Sequence, residues 1–293
     1  MWRGAVLAGV VSAVVLGAVL VWPHTPAGRT GRVASAPSAS PSASPGAPTP
    51  TPPAPPSPVP APRPSAPALP GTTLVDADDF TGTAVDTSKW EVYRAAASNR
   101  VSQWLPSMVS VSGGELRIAG HGNNPDGTGN VSGGLCWCRG KGNQTYGIWQ
   151  VRARFEAGTG YGQAILLWPE SNRWPQDGEL DFVETPGGPK TTAVGTVHWG
   201  ADNEQDARRA KGDFTAWHTY AVEWRATSVK MSIDGRVYYD STTSTRRPAI
   251  PNVPMQLAIQ QEPGPFGRNW VPAPDGGTPD QVVMHIDWVR IYR

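Results

Sequence analysis

The spacing of hydrophobic and polar residues divides the chain into three stretches. Residues 4–22 are nineteen successive residues without a charge, which as a helix would reach roughly 28 Å, close to the thickness of a bilayer core. Residues 34–70 contain fifteen prolines among 37 residues, and their lack of bulky apolar side chains predicts a disordered linker. Beyond these, apolar and polar residues alternate as in β-strands. We therefore expect a membrane or signal segment at 1–23, a linker at 24–70 and a globular domain at 71–293.

The strand predictions in the globular domain rest on alternation and on turn residues. Residues 146–155 alternate cleanly between apolar and polar side chains. Residues 228–240 predict a hairpin, because Asp234 and Gly235 form a two-residue turn between two alternating runs. Further strands are predicted at residues 115–119, 192–199, 218–224 and 282–292. Since no long stretch has helical periodicity, we expect an all-β sandwich or barrel.

The N-terminal apolar stretch allows two interpretations. A cleavable signal peptide has an apolar region of about 7–15 residues and a small-residue cleavage site soon after it. Here the apolar stretch is longer, and the nearest small-x-small run, Ala34-Ser35-Ala36, lies far downstream. We therefore favour an uncleaved signal anchor that holds the globular domain outside the cytoplasm at the cell membrane. Secretion after cleavage is the alternative.

Composition and charge exclude several functional classes. The net charge is +1, and residues 71–293 hold 21 Lys and Arg against all 24 Asp and Glu, so we expect no basic surface for nucleic acid. Two cysteines are too few for a disulfide scaffold or a multi-cysteine zinc module. Cys136 and Cys138 are two residues apart. This spacing fits a disulfide in a kinked strand and a free pair equally well.

Three carboxylates, Glu179, Asp181 and Glu184, lie close together in the sequence. On a strand, Glu179 and Asp181 share one face because side chains alternate with period two. Glu184 would point to the opposite face of a regular strand, but one inserted residue around Phe182 and Val183, a β-bulge, returns it to the acidic face. A helix would separate Glu179 from Glu184 by roughly 140°. The spacing therefore predicts a bulged strand that presents three acids to a cleft.

The predicted acid cluster has the groups that glycoside hydrolysis needs. Retaining glycosidases place two carboxyl groups about 5–5.5 Å apart beside the bond that breaks. Crowding of three carboxyls raises the pKa of at least one of them, which suits a general acid near neutral pH. A solvated acidic strand edge is the alternative interpretation. Eleven of the thirteen tryptophans lie in residues 71–293, and flat aromatic faces that stack on sugar rings favour the glycosidase.

Several segments together resemble glycoside hydrolase family 16. They are Asp78-Asp79-Phe80, residues 146–154, Trp174-Pro175, residues 178–184, Val197-His198-Trp199-Gly200, residues 217–224 and residues 285–292. The resemblance covers about residues 76–292, and it implies a concanavalin-like jelly-roll β-sandwich with a concave cleft and a retaining mechanism. It also implies that Glu179 is the nucleophile, Glu184 the acid/base and Asp181 the carboxylate that steers the nucleophile. The bulged acid spacing is the laminarinase-like form.

Candidate substrate-binding residues surround the predicted acidic strand. They are Trp174, Trp199, Trp168, Trp270, His198 and Gln260. Trp174 and Trp199 flank the acids in sequence, and His198 lies on the strand expected beside them, where it contacts either the acids or the sugar. Gln260 lies in the region where laminarinase-like members carry an asparagine. If it replaces that asparagine, the cleft floor differs and β-1,3-glucan specificity is left open. Three other tryptophans are expected in the core: Trp149, Trp224 and Trp288.

The resemblance further implies a structural calcium held by Asp79, the carbonyl of Gly82 and Asp287, and no cofactor for catalysis. The leading hypothesis for function is endo-acting, retaining hydrolysis of β-1,3- or mixed β-1,3/1,4-glucan by a monomer. Related hypotheses are the same chemistry on another β-linked exopolysaccharide or galactan, and transfer to a sugar acceptor. A non-catalytic, surface-anchored lectin-like module is the alternative from another class, but glycan binding alone does not require three acids.

Overall fold

A computed structural model describes residues 69–293, which form strands and two short 3₁₀ helices, Pro106–Met108 and Ser241–Thr243. The segment predicted at residues 1–23 and nearly all of the linker at 24–70 lie outside the described residues. Between residues 69 and 293, no helix has the length and hydrophobicity that crossing a bilayer requires.

The strands are numbered in chain order. They are β1 (Leu74–Asp78), β2 (Glu91–Val92), β3 (Ala95–Ala96), β4 (Gln103–Trp104), β5 (Val109–Ser112), β6 (Glu115–His121), β7 (Val131–Ser132), β8 (Gly134–Cys136), β9 (Gly147–Phe155), β10 (Tyr161–Pro169), β11 (Glu179–Thr185), β12 (Thr192–Trp199), β13 (Glu204–Lys211), β14 (His218–Arg225), β15 (Ser228–Ile233), β16 (Arg236–Asp240), β17 (Met255–Pro263) and β18 (Gln281–Tyr292).

These strands form two sheets that share one hydrophobic core. The larger sheet has eleven strands in the order β16-β15-β14-β9-β18-β6-β7-β4-β3, with β1 beside β18 and β5 beside β6. The smaller sheet has seven strands in the order β13-β12-β11-β10-β17-β8-β2. Strands β4 and β7 pair in parallel, and the other neighbours are antiparallel. The prediction of an all-β sandwich is confirmed.

The alternation patterns located most of the predicted strands correctly. β9 begins at Gly147, one residue after the predicted start, and its apolar face is fully buried in the core. The predicted hairpin is formed by β15 and β16, with Asp234 at φ 51° and Gly235 at φ 77° in the turn. Positive φ at both central residues is the conformation that this turn requires. The side chains that β9 contributes to the core are Trp149, Val151, Ala153 and Phe155.

An irregularity in β18 changes which of its side chains reach the core. Ile286 lies opposite Ala153 of β9, whereas Trp288 lies opposite Arg152, so the register shifts at Asp287. Trp288 is buried, at 2% exposure, but it is not part of the main core cluster, which holds the other two tryptophans predicted there. The extra residue places Trp288 on the other face of the sheet from Ile286.

Two central strands of the smaller sheet, β10 and β17, were not predicted because they do not alternate. All nine residues of β10 are buried, and eight of the nine residues of β17 are. Strands covered on both faces read as continuous apolar runs. On the face away from the main core, a second apolar cluster is formed by Ala164, Leu166, Trp168 and Ala258. This face of the smaller sheet, which also carries the three acids, is called the cleft face below.

Candidate active site

A bulge in β11 places the three acids on the cleft face. The register of β11 against both neighbouring strands shifts between Asp181 and Glu184. Phe182 and Val183 together lie opposite the single residue Gly195 of β12, and both side chains are fully buried in the main core. Two successive core-facing residues turn the following acid to the same side as the first two. The predicted β-bulge is therefore confirmed.

The backbone of this bulge is held from the larger sheet. The hydroxyl of Tyr238 donates a hydrogen bond to the carbonyl oxygen of Phe182, at 2.9 Å. Tyr238 is itself the residue without a register partner in β16, so an irregularity in each sheet supplies one partner of this bond. Gly195 leaves space for the hydroxyl, because a Cβ there would lie 2.5 Å from it. The carbonyl of Phe182, at the bulge where the strand register is interrupted, is thereby hydrogen bonded.

Glu179 is the most enclosed of the three acids. Its side chain is fully buried, and its Oε2 accepts a hydrogen bond from Nε1 of Trp174 at 2.8 Å. Burial, followed by the charges of Asp181 and Glu184, raises the pKa of Glu179 well above its ordinary value, and the hydrogen bond from Trp174 opposes this rise. The pKa that crowding raises is thus that of the predicted nucleophile.

Asp181 lies against His198, whose tautomer is set by a third residue. Nε2 of His198 is 3.0 Å from Oδ2 of Asp181, and Nδ1 is 2.8 Å from the amide oxygen of Asn203. Because the amide oxygen only accepts, the hydrogen bond is one that Nδ1 donates. Nε2 of His198 and the oxygens of Asp181 lie in close contact, but none of them has a partner of normal hydrogen-bond geometry within residues 69–293. Of the two contacts predicted for His198, the structure shows the one with the acids.

Oxygen atoms of Glu179 and Asp181 and a nitrogen of His198 all lie within 4.8 Å of one another. Two carboxylates and an imidazole are also groups that can coordinate a metal ion.

Glu184 lies at the other end of the acid row, beside a polar pair on β17. It is 5% exposed and lines a pocket together with Gln260, Glu262 and Trp270. Nε2 of Gln260 donates to Oε1 of Glu262 at 2.6 Å. Burial raises the pKa of Glu262 to about 7, although hydrogen bonding from Ser98 and Gln260 opposes the rise. The structure therefore brings two predicted binding residues, Gln260 and Trp270, together with Glu184.

The remaining predicted tryptophans separate into two groups. Trp168 and Trp174 stack on each other in the cleft-face cluster, with ring centroids 6.1 Å apart. Trp199 packs against the main core instead. It follows His198, which shares the cleft face with Glu179, and successive strand residues point to opposite faces. The prediction that Trp199 flanks the sugar is therefore corrected.

The residues predicted to hold calcium are engaged in ion pairs. Oδ1 of Asp79 is 2.6 Å from the guanidinium group of Arg290, and Oδ2 of Asp287 is 2.5 Å from that of Arg152. Gly82 lies in the loop that follows β1. A guanidinium group competes with a cation for carboxylate oxygens, so this arrangement favours ion pairs over calcium ligands. Calcium binding at these residues stays a prediction.

Cys136 and Cys138 form a disulfide. Their Cα atoms are 5.2 Å apart, which is closer than two residues of a flat strand and within the range that a disulfide spans. Of the two states that the sequence left open, the structure contains the bonded one.

Three residues of the site escaped the sequence analysis. Tyr238 contacts the acidic strand from a segment distant in sequence, and Asn203 contacts His198 from the turn after β12. Neither belongs to a local pattern that would identify it. Glu262 had a weak signal, because Gln260 and Glu262 are polar at alternate positions of a strand whose other face begins with Met255, Leu257 and Ile259, although Gln261 interrupts that face. Two polar residues on one face of a buried strand point to a cleft or a ligand.

Comparison with known proteins matches residues 127–290 to the family described as glycosyl hydrolases family 16. "Glucan endo-1,3-beta-glucosidase A1" of Niallia circulans is 28% identical over 274 residues, covering 78% of this chain and 39% of that protein. The "Beta-glucanase" of Rhodothermus marinus is 34% identical over 112 residues, covering 34% of this chain and 39% of that protein. The chain thus spans about two fifths of the length of these relatives.

Solved structures of similar proteins have the same two-sheet sandwich. The laminarinase from Rhodothermus marinus superposes with a TM-score of 0.66 at 26% identity, covering 77% of this chain and 99% of that chain. The laminarinase catalytic domain from Thermotoga petrophila superposes with a TM-score of 0.65 at 20% identity, covering 76% of this chain and 98% of that chain. The jelly-roll fold is therefore shared with these structures. Because the family match spans more than half of the sequence and includes the bulged acidic strand, the chain belongs to glycosyl hydrolases family 16.

Proposed function

We propose that the chain is a retaining, endo-acting β-glucanase that cleaves β-1,3- or mixed β-1,3/1,4-glucan by double displacement. The observation that carries the proposal is the bulged strand that presents Glu179, Asp181 and Glu184 on one buried face. The substrate class is supported by relatives named as a glucan endo-1,3-beta-glucosidase and a non-specific endo-β-1,3(4)-glucanase. A binding module has no use for a buried carboxyl cluster whose ionisation is costly.

Glu179 and Glu184 divide the chemistry between them. In the first step the carboxylate of Glu179 attacks the anomeric carbon while the carboxyl of Glu184 protonates the departing oxygen, which leaves a glycosyl ester on Glu179. In the second step Glu184 takes a proton from water, and the water oxygen displaces Glu179 from the same carbon. Two inversions give net retention of the anomeric configuration.

Asp181 is the carboxylate that steers Glu179 and sets how readily it ionises. Its charge is, after burial, the largest cause of the raised pKa of Glu179. The imidazole of His198 packs against Asp181 at 3.0 Å and holds it beside Glu179. Asn203 supports this arrangement because its amide oxygen accepts from Nδ1 of His198, which leaves Nε2 facing Asp181.

A screen of the full-length chain tests the substrate class. We would incubate it with β-1,3-glucan, mixed-linkage β-glucan, β-galactan and acidic exopolysaccharide, and identify the products by mass spectrometry. We expect oligosaccharides of intermediate length from one or both glucans, formed first with the retained anomer by NMR. Cleavage of the galactan or exopolysaccharide alone would refute the glucan assignment, and transfer products would identify a transglycosylase.

The assignment of Glu184 is tested by its leaving-group dependence. Glu184→Gln removes acid assistance, so we expect cleavage of glucan to fall by about 10²–10⁴-fold while the first step on activated aryl glycosides is largely spared. Glu204→Gln, an exposed acid on β13, is the matched control and should behave as the wild type. Equal losses on both substrate types would contradict the role of Glu184.

We further propose that the catalytic domain acts as a monomer outside the cytoplasm, held by the N-terminal segment or secreted. The disulfide between Cys136 and Cys138 supports an oxidising compartment. Fractionation of cells that express the full-length chain would locate it in the membrane or the medium. Recovery in the cytosol would contradict this localisation.

A further inference from the structure

Two polar side chains stand on the cleft face of β17, two strands away from the predicted acid/base. Gln260 lies opposite Ala164 of β10, which in turn lies opposite Glu184 of β11. Glu262 lies opposite Gly162, one same-face position further along. Ala164 and Gly162 of β10 are small, so the surface between Glu184 and the polar pair is recessed. A sugar bound across these strands would lie over this floor, within reach of both.

Glu262 has a buried oxygen whose hydrogen bonding is incomplete. The residue is 5% exposed, and its Oε1 accepts from Gln260. The hydroxyl and the backbone N–H of Ser98 also hydrogen bond to this carboxylate, although the contact of Oε2 falls outside normal hydrogen-bond geometry. Incomplete hydrogen bonding of a buried carboxylate is costly. Since Glu262 also lines the pocket that holds Glu184 and Trp270, its carboxylate can accept a further hydrogen bond from a molecule bound there.

Aromatic side chains stand on both sides of the polar pair. On the β8 side, the rings of Tyr93 and Trp104 are 5.3 Å apart between centroids, and Tyr93 packs over Gly134 beside Gln260. On the other side, Trp270 lines the same pocket. Aromatic walls with a few fixed polar groups are the usual construction of a sugar subsite.

We propose that Glu262 is a specificity-determining residue: it accepts a hydrogen bond from a hydroxyl of a neutral sugar on the β17 side of the cleft, and it excludes glycans that carry a carboxylate or sulfate at that position. This inference rests on the proposed function. The sugar hydroxyl completes the hydrogen bonding of the Glu262 carboxylate. An anionic substituent would bring a like charge beside Glu262 and close to Glu184 in a largely dehydrated pocket, where repulsion is strong.

Steady-state kinetics of Glu262→Gln tests the proposal. Because burial raises the pKa of Glu262 to about 7, the assays are run at pH 8 on a neutral β-glucan and on the same glucan after partial carboxymethylation. We expect kcat/KM for the neutral glucan to fall about tenfold, mainly through KM. The ratio of kcat/KM for the carboxymethylated glucan to that for the neutral glucan should rise about tenfold.

Two further variants separate charge from shape. Glu262→Asp keeps the charge and shortens the side chain, so it should lose affinity for the neutral glucan yet keep the discrimination against the carboxymethylated one. Glu223→Gln removes a partly exposed acid from β14 of the other sheet and should leave both quantities at wild-type values. If Glu262→Gln folds poorly, the Asp variant still decides, because loss of its discrimination would refute the role of the charge.

The proposal would be overturned if Glu262→Gln changed neither KM for the neutral glucan nor the ratio of kcat/KM between the carboxymethylated and the neutral glucan. This holds even if the wild type is an efficient glucanase. If the wild type cleaves no glucan, the proposed function fails separately. The role of Glu262 is then decided by calorimetric titration with neutral and carboxymethylated oligosaccharides. Preference of the wild type for the neutral one, lost in Glu262→Gln, would support it, and equal binding would refute it.

Discussion

The hydrogen bond from Tyr238 to the catalytic bulge can be removed without changing the shape of the side chain. Tyr238→Phe deletes the hydroxyl that donates to the carbonyl of Phe182 at 2.9 Å. The ring stays in place against the main core. The carbonyl of Phe182 loses its hydrogen-bond donor. This carbonyl lies in the bulge, which decides whether Glu184 faces the cleft.

Tyr238→Phe is expected to lower both the free energy of unfolding and kcat. A partly buried carbonyl left without a donor lowers the free energy of unfolding by about 1–3 kcal/mol. In a domain of this size that corresponds to a fall in Tm of roughly 2–4 °C per kcal/mol. Glu184 follows the bulge directly, and a displacement of about 1 Å in a catalytic group costs on the order of 100-fold in rate. We therefore expect kcat to fall between about tenfold and 100-fold, with KM nearly unchanged.

The neighbouring residue provides a matched control. The hydroxyl of Tyr239 donates to Oδ2 of Asp206 at 3.1 Å, away from the acids, so Tyr239→Phe removes a hydrogen bond that is more deeply buried than that of Tyr238. Urea unfolding followed by tryptophan fluorescence should show a loss in both variants, at least as large in Tyr239→Phe. Only Tyr238→Phe should lower kcat on glucan. Equal kcat values in the two variants would show that Tyr238 stabilises the fold and does not position Glu184.

Three other predictions concern Gly195, Asp181 and Lys190. Gly195→Ala would place a Cβ 2.5 Å from the Tyr238 hydroxyl, so we expect it to lower kcat in the same assay, and to lower it less when Tyr238 is already Phe. Burial and then the charge of Asp181 raise the pKa of Glu179; because only the carboxylate attacks, activity is lost as pH falls through that pKa. Asp181→Asn should move the acidic limb of kcat/KM to lower pH, and a move to higher pH would contradict this reasoning. Burial lowers the pKa of Lys190 from 10.5 to about 7, so the folded state loses its proton first and stability rises by about 1.4 kcal/mol per pH unit between those values. Urea unfolding at pH 7.5 and 9.5 should show this rise in the wild type and not in Lys190→Met, and equal slopes in both would refute it.

The acidic strand was predictable because its pattern is local. Glu179 and Asp181 are two residues apart, and the next acid is out of phase by one residue. Only a bulged strand brings all three to one face, and the two apolar residues Phe182 and Val183 between the acids indicate where the bulge lies. The core face of β9 was predictable for the same reason, since its alternation is complete within ten residues.

Other features depend on contacts that a single segment does not contain. Tyr238 reaches the acidic strand from β16 of the other sheet, so its role follows from the packing of segments far apart in sequence, and Asn203 reaches His198 from the turn after β12. Trp199 was assigned to the cleft because it flanks the acids in sequence, although strand alternation places it on the opposite face from His198. β10 and β17 lack alternation because both of their faces are covered, one by the main core and one by the cleft cluster.

The proton inventory of the acid cluster connects its burial to the proposed mechanism. The proposed mechanism begins with Glu179 ionised and Glu184 protonated. These two buried groups together then carry a single negative charge. After the first step Glu179 is a neutral ester and Glu184 has given up its proton, so the total is unchanged. Since creating a new charge in a buried site is expensive, a mechanism that only moves one charge from Glu179 to Glu184 is suited to this enclosed row. The charge of Asp181 lies beside the nucleophile and raises its pKa, and this is why the acidic limb of the pH profile is expected to respond to Asp181 more than to any exposed acid.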